Sequence, residues 1–307
     1  MKKIAFVIFA RDKEEHVGLA VRSVLAQTYS PMDIYFSDQG STDNTLAVIK
    51  KEVEAYNGPN KVHILNCPVT EEKGMQGLTA HHDWLHSNID ADFWILSAAD
   101  DIDYPDRAKR TVETWQELDY HPLYISVGQN FIDPNKGVLE ANANPHESGW
   151  YNAIEIDEQL IGGSTPQAWA PELIDKFGDP FPKHALLDVY VPWCAGLTNR
   201  FYYLHEIHHA YVRHADPNNT GIGNRMNMVD KDSDEYLQLD EVARYQLTHN
   251  MSLMATVADD MLTELTDPPQ DLVNATSYAL HQMLGHSASW AHQRHLLNMR
   301  GVRPICG

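Results

Sequence analysis

The sequence predicts an α/β protein: a mostly parallel sheet flanked by helices, followed by a helical C-terminal appendage. Three observations carry this. Short apolar runs alternate with amphipathic segments, as in strands joined by right-handed crossover helices. The first runs are β-branched and apolar without a polar face, as expected where helices cover both sides of a sheet. From about residue 225 only helical periodicity remains. The expected division is therefore a domain over 1–224 and a helical region over 225–307.

Residues 4–9 (Ile-Ala-Phe-Val-Ile-Phe) give a central strand, and 14–27 a helix with Val17, Val21, Val24 and Leu25 on one face. A second strand follows at 33–37. The next helix, 41–56, has Ser41 or Thr42 as N-cap and Asp43 in its first turn, where an acid suits the dipole. Residues 62–65 form a third strand and 78–87 a short helix. The fourth strand, 93–96, runs into Asp100, Asp101 and Asp103; 106–118 is helical and 123–130 is again a strand. Residues 131–165 read as loop. The appendage has helices over 236–260 and 272–298, separated by Asp267-Pro268-Pro269. Ligands of such sheets bind beyond the carboxyl ends of the strands. The turns at 9–12, 38–41 and 100–103 all fall there, so they are expected to build one site.

Bulk properties narrow the function. The formal net charge of -20 argues against a nucleic-acid backbone or an anionic membrane surface as the main partner. No run approaches the roughly 18 apolar residues of a membrane span. Met1-Lys2-Lys3 leads directly into a strand, without the pattern of a secretory leader. Cys67, Cys194 and Cys306 are far apart and odd in number, so a reducing, cytoplasmic setting is the expectation. Seventeen histidines are many, and most should be surface or packing residues.

Three motifs then fall in order: Phe9-Ala10-Arg11-Asp12, Ser23-Val24-Leu25-Ala26-Gln27-Thr28, and Ser37-Asp38-Gln39-Gly40-Ser41-Thr42-Asp43-Asn44-Thr45. Together they resemble family 2 glycosyltransferases of the Rossmann-like GT-A fold, over roughly residues 3–221. The resemblance implies inverting transfer of a sugar from a nucleotide-diphosphate donor, a UDP-sugar first, to a saccharide or other hydroxyl acceptor. It also implies a divalent cation, Mn2+ or Mg2+. In this reading Phe9, Ala10, Arg11 and Asp12 grip the base with Asp38, which accepts from the uracil N3–H. The same loop also serves as a helix entry, with Gly40 for the turn and Asp43 for the dipole.

The family's Asp-x-Asp-Asp corresponds to Ala98-Ala99-Asp100-Asp101. Ala99 and Asp100 are expected at the donor and Asp100 on the metal, with Asp101, Asp103 or His214 assisting, because one carboxylate holds a hard cation weakly. The family's Glu-Asp pair is Leu187-Asp188 here. Asp188 is therefore the expected base that takes the acceptor's proton, with a helix-dipole partner as its plainer role. In Tyr211-Val212-Arg213-His214, Arg213 suits a phosphate by its fork. His205, His208 and His209 are expected to pack or to lie on the surface; a zinc site there lacks cysteines and clear ligand spacing. Family members often carry a diphosphate-neutralising Arg after the third strand. None occurs over 73–83, leaving Lys73 or His81 to substitute.

Two rivals remain. Nucleotidyl transfer would need a Gly-rich basic loop after the first strand, and 9–15 has no glycine. A degenerate domain that binds a nucleotide or protein without turnover would account for Ala98, Gln39 and Leu187. Retention of Asp38, Asp100, Asp188 and His214 together favours activity. The helical remainder carries no recognised motif and is available for homo-oligomer contacts, acceptor shaping or partner docking.

Overall fold

The computed structural model describes residues 2–68, 74–133, 137–141, 146–158, 166–177, 187–213, 226 and 229–303. The chain divides into two compact units. The first comprises residues 1–183 and 187–212, the second 184–186 and 213–307.

The first unit is built on a ten-stranded sheet. Its long strands are β1 (Ile4–Ala10), β2 (Asp33–Asp38), β3 (Lys61–Asn66), β4 (Phe93–Ala98), β6 (Tyr124–Asp133) and β10 (Phe201–Val212). Short strands complete it: β5 (Ile102–Asp103), β7 (Gly137–Glu140), β8 (Gly149–Tyr151) and β9 (Gln167–Trp169). The order is β3-β2-β1-β4-β9-β6-β10-β5, with β7 on β6 and β8 on β10. β1, β2, β3 and β4 pair in parallel, and so do β6 and β10. β9 lies antiparallel between β4 and β6, so those two strands run the same way. Every long strand is therefore parallel, and the antiparallel ones have two to four residues. Strand β7, strand β8 and helix α5 (Ala153–Glu158) lie in the segment expected to be loop. β8 forms by pairing with distant β10, whereas β7 folds back as a short hairpin on the end of β6.

Helix α1 (Val17–Leu25) buries Val17, Ala20, Val21 and Val24, the spacing of one helical face. Its polar neighbours in the Ser-Val-Leu-x-Gln-Thr motif hold the chain just past the acidic turn. Ser23 Oγ accepts from Asp103 N at 3.1 Å, and Gln27 Nε2 donates to Tyr104 O at 2.8 Å. Gln27 Oε1 accepts from Ala108 N at 2.8 Å and Pro105 O accepts from Thr28 N at 2.9 Å. The motif thus acts as a clasp between α1 and the entry to helix α4 (Arg107–Glu117).

Helix α2 (Thr45–Glu54) begins later than expected, and its N-cap is Asn44 rather than Ser41 or Thr42. The physical reason is that Ser41 and Thr42 are engaged with Asp12 and Asp38 in the turn. Helices α3 (Gly74–Asn88), α6 (Glu172–Asp175) and α7 (Leu187–Leu197) complete the first unit. α7 packs so closely on α5 that a Cβ at Gly196 would lie 2.6 Å from Ala153 N.

The second unit holds helices α8 (Asp234–Glu264) and α9 (Gln270–Met299). Ser233 caps α8, accepting from Tyr236 N at 3.1 Å. The pair is antiparallel. Leu239, Met251, Met254, Ala255 and Ala258 are buried on α8, as are Leu272, Ala275, Ala279 and Leu297 on α9. Trp290 donates to Glu241 at 3.0 Å between them. No helix among the described residues is long and apolar enough to cross a membrane.

Candidate active site

Register brings the three turns together. Ala10 lies opposite Asp38, and Phe9 lies opposite Ser37 on one side and Ala98 on the other. The carboxyl ends of β1, β2 and β4 are therefore level, and their turns share one edge of the sheet.

On the β1–β2 side, hydrogen bonds between close neighbours fix the backbone. Asp38 is buried; its Oδ1 accepts from Ser41 Oγ at 2.5 Å and its Oδ2 from Ser41 N at 3.1 Å. Gly40 has φ +62°, which closes this turn without steric cost. Asp12 takes φ +51°, a conformation that Asp tolerates better than most residues. Its N–H donates to Ser41 Oγ at 2.9 Å, and its Oδ1 accepts from Thr42 N at 2.7 Å. Gln39, where the family has a second Asp, is buried and donates to Gly77 O at 2.9 Å. That departure serves packing.

Phe9 meets the His82 ring edge-on at 4.7 Å. His81, expected as a stand-in for the missing arginine, supplies no positive charge. It is buried against Ser37 Oγ at 2.7 Å. Burial, then the neighbouring His82 and Arg11, hold its pKa down to about 3. Lys73, the other candidate, lies outside the described residues. Among the described residues, cations at this edge are Arg11, which is half-buried and close enough to His81 to bias it, and Lys13. Lys13 Nζ lies 2.5 Å from Asp100 Oδ2. Lys13 was not singled out in the sequence, because 87 residues separate it from Asp100.

The acidic turn sends its carboxylates in different directions. Asp100 is partly exposed at the end of β4, beside buried Ala99. Asp101 turns inward: its Oδ1 accepts from Val212 N at 2.9 Å and its Oδ2 lies 3.4 Å from His209 Nε2. Asp103 is buried between His209 Nδ1, at 3.0 Å, and the Arg107 guanidinium. Arg107 also donates to Leu96 O at 2.7 Å and to Gln167 O at 3.2 Å. His209 is thus enclosed within a charged network, and Asp101 and Asp103, both expected to help the metal, belong to that network. Although desolvation opposes it, the two carboxylates raise the His209 pKa. Burial opposes the Asp103 charge, yet Arg107 and His209 hold its pKa down at about 2. Together with the Asp101–Val212 bond, this fastens the acidic turn to β10 at His209 and Val212.

Asp188 stands in the first turn of α7. Its Oδ1 accepts from Gln167 Nε2 on β9 at 2.8 Å. Burial pushes its pKa up to about 6, Gln167 opposes that, and the Asp101 charge adds to it. Pro192, four residues on, has no N–H to give the Asp188 carbonyl. Leu187, in place of the family's Glu, is buried.

Arg213 follows directly on β10 and begins the second unit. His214, an expected metal ligand, lies outside the described residues. Ala98 offers no oxygen, Asp101 is engaged inward, and Asp100 is paired with Lys13. Among the described residues no three His, Cys, Asp or Glu side chains form a group that could hold a metal ion. Among the described residues, the side chains at this turn therefore do not by themselves make a donor set for a resident divalent cation.

A family model described as glycosyl transferase family 2 matches residues 5–161, just over half the chain. The chain belongs to that family. A curated relative, described as an uncharacterized glycosyltransferase of Nostoc sp., is 30% identical over 117 residues. The match covers 38% of this chain and 34% of the relative, so it spans about a third of that protein. Among solved structures, S. aureus TarS 1–349 in complex with UDP-GlcNAc aligns with TM-score 0.56 at 12% identity. That alignment covers 98% of this chain and 92% of TarS 1–349. Mannosyltransferase PcManGT from Pyrobaculum calidifontis, in complex with GDP-Man and Mn2+, aligns with TM-score 0.52 at 10% identity, over 98% and 79% of the two chains. At such identities the likeness is one of fold, the GT-A glycosyltransferase fold. In family 2 terms Gln39 and Leu187, two of the three departures in the motifs, are absorbed into packing.

Proposed function

We propose that this family 2 chain transfers a sugar from a UDP-sugar to an acceptor hydroxyl with inversion at the anomeric carbon. The observation that carries the proposal is Asp188: a half-buried carboxylate, oriented by Gln167, near the acidic turn at the end of β4. With a pKa near 6 it is ionised at neutral pH yet basic enough to accept a proton as the acceptor oxygen attacks. The new glycosidic bond forms on one face of the anomeric carbon. The bond to the donor phosphate breaks on the other, the proton goes to Asp188, and UDP leaves with the bonding electrons.

Phe9, Ala10, Arg11, Asp12 and Asp38 would line the nucleotide. Asp38 keeps acceptor capacity beyond its two bonds to Ser41, since a carboxylate has about four lone-pair directions. Ala99 and Asp100 would face the donor diphosphate. The test is a panel of nucleotide sugars with saccharide acceptors, with product anomers assigned by NMR. A product inverted relative to a UDP-sugar donor is expected. A retained anomeric configuration, or no transfer from any nucleotide sugar by folded protein, would overturn the proposal.

A further inference from the structure

The turn after β1 is tied down on several sides. Lys13 N donates to Thr45 Oγ1 at 2.6 Å, and Lys13 O accepts from His16 N at 3.0 Å and Val17 N at 2.9 Å. Asp12, just before it, is pinned by Ser41 and Thr42. From this fixed backbone the Lys13 ammonium reaches Asp100, and both side chains are largely buried, with exposures of 19% and 17%. Asp100 is the carboxylate that would carry a cation in the family pattern. A hard divalent ion needs several oxygen ligands, and the described positions beside Asp100 withhold them. Ala98 has none to give, and Asp101 faces Val212 N and His209.

We infer that Lys13, held by Asp100, supplies the fixed positive charge that receives the donor's diphosphate in place of a divalent cation. An ammonium is a compact point charge with three N–H donors, so a carboxylate and phosphate oxygens can share it. Asp100 then acts as the anchor that aims the ammonium, and Arg11 places a second cation on the same turn. The inference rests on the proposed nucleotide-sugar function, and it changes the expected cofactor requirement: donor binding does not depend on added metal.

The test is calorimetric titration of UDP into the full chain, once in EDTA and once in Mn2+. Wild type, Lys13→Ala and Lys13→Arg are compared, with uridine as the ligand lacking phosphate. Wild type is expected to bind UDP in EDTA within about threefold of its affinity in Mn2+. Lys13→Ala should lose about tenfold or more for UDP in EDTA with uridine affinity unchanged, and Lys13→Arg should keep most of the binding. A mere loss of local structure would weaken uridine as well. Wild-type binding of UDP that requires Mn2+, or Lys13→Ala binding UDP like wild type, overturns the inference and leaves the donor site standing. No binding of UDP, GDP, CDP or dTDP under either condition, by protein folded by circular dichroism, overturns the donor reading and this inference with it.

Discussion

The two halves of the sheet hold their polar residues in different ways. At the ends of β1 and β2, Asp12, Asp38, Ser41 and Thr42 are fixed by short hydrogen bonds within two neighbouring turns. Around β4, β9 and β10, the acidic turn is fixed by two buried charges, Arg107 four residues beyond Asp103 and His209 on distant β10, and by the backbone N–H of Val212. The first half is a rigid cradle in which each bond contributes modestly. The second is a desolvated ionic cluster, in which loss of one partner strands a buried charge. One half should therefore tolerate damage gradually and the other should not.

The largest effect is expected at Arg107→Met. Removing the guanidinium leaves the buried Asp103 carboxylate with His209 as its remaining cation and should destabilise the fold by roughly 3 kcal/mol or more. Denaturant unfolding measures it, and a change comparable to a surface substitution would erase the contrast between the halves. Ser41→Ala removes one hydroxyl bond from each of Asp38 and Asp12 and should cost about 1 kcal/mol. A loss as large as that of Arg107→Met would show that the cradle is no less brittle than the cluster. The smallest effect on stability is expected at Gln167→Ala, but its pH signature is specific. The Gln167 amide favours ionised Asp188, so its removal should move the acidic limb of the transfer rate to higher pH. Asp101 and Tyr124 face the same carboxylate and remain unchanged in that variant.

The same contrast explains what the sequence disclosed. β1, β2, β4, α1 and the two long helices were legible because apolar periodicity is a local property, as were the turns of the cradle. β5 and β9, with two and three residues, were not: they exist through pairing with β10, β4 and β6. His209 was expected to be a packing or surface histidine. It proves to be the centre of the charged cluster, and its bond to Asp103 spans 106 residues. Gln167 reads as part of a loop until β9 aims it at Asp188. His81 has the composition of a cation and the burial of a neutral ring. The Lys13–Asp100 pair was hidden for the same reason as His209, two charges brought together only by parallel pairing of β1 with β4.

The central claim is that Asp188 takes the acceptor's proton. It is tested most directly by kcat/KM for sugar transfer against pH, in wild type and Asp188→Asn. A base must be ionised, and its pKa is raised to about 6, so the wild-type rate should fall about tenfold per pH unit below pH 6 and level off above it. Asp188→Asn should lose about 100-fold or more at neutral pH, and the limb near pH 6 should vanish. An Asp188→Asn enzyme that keeps most of its turnover, or one that keeps the same limb, would contradict the account.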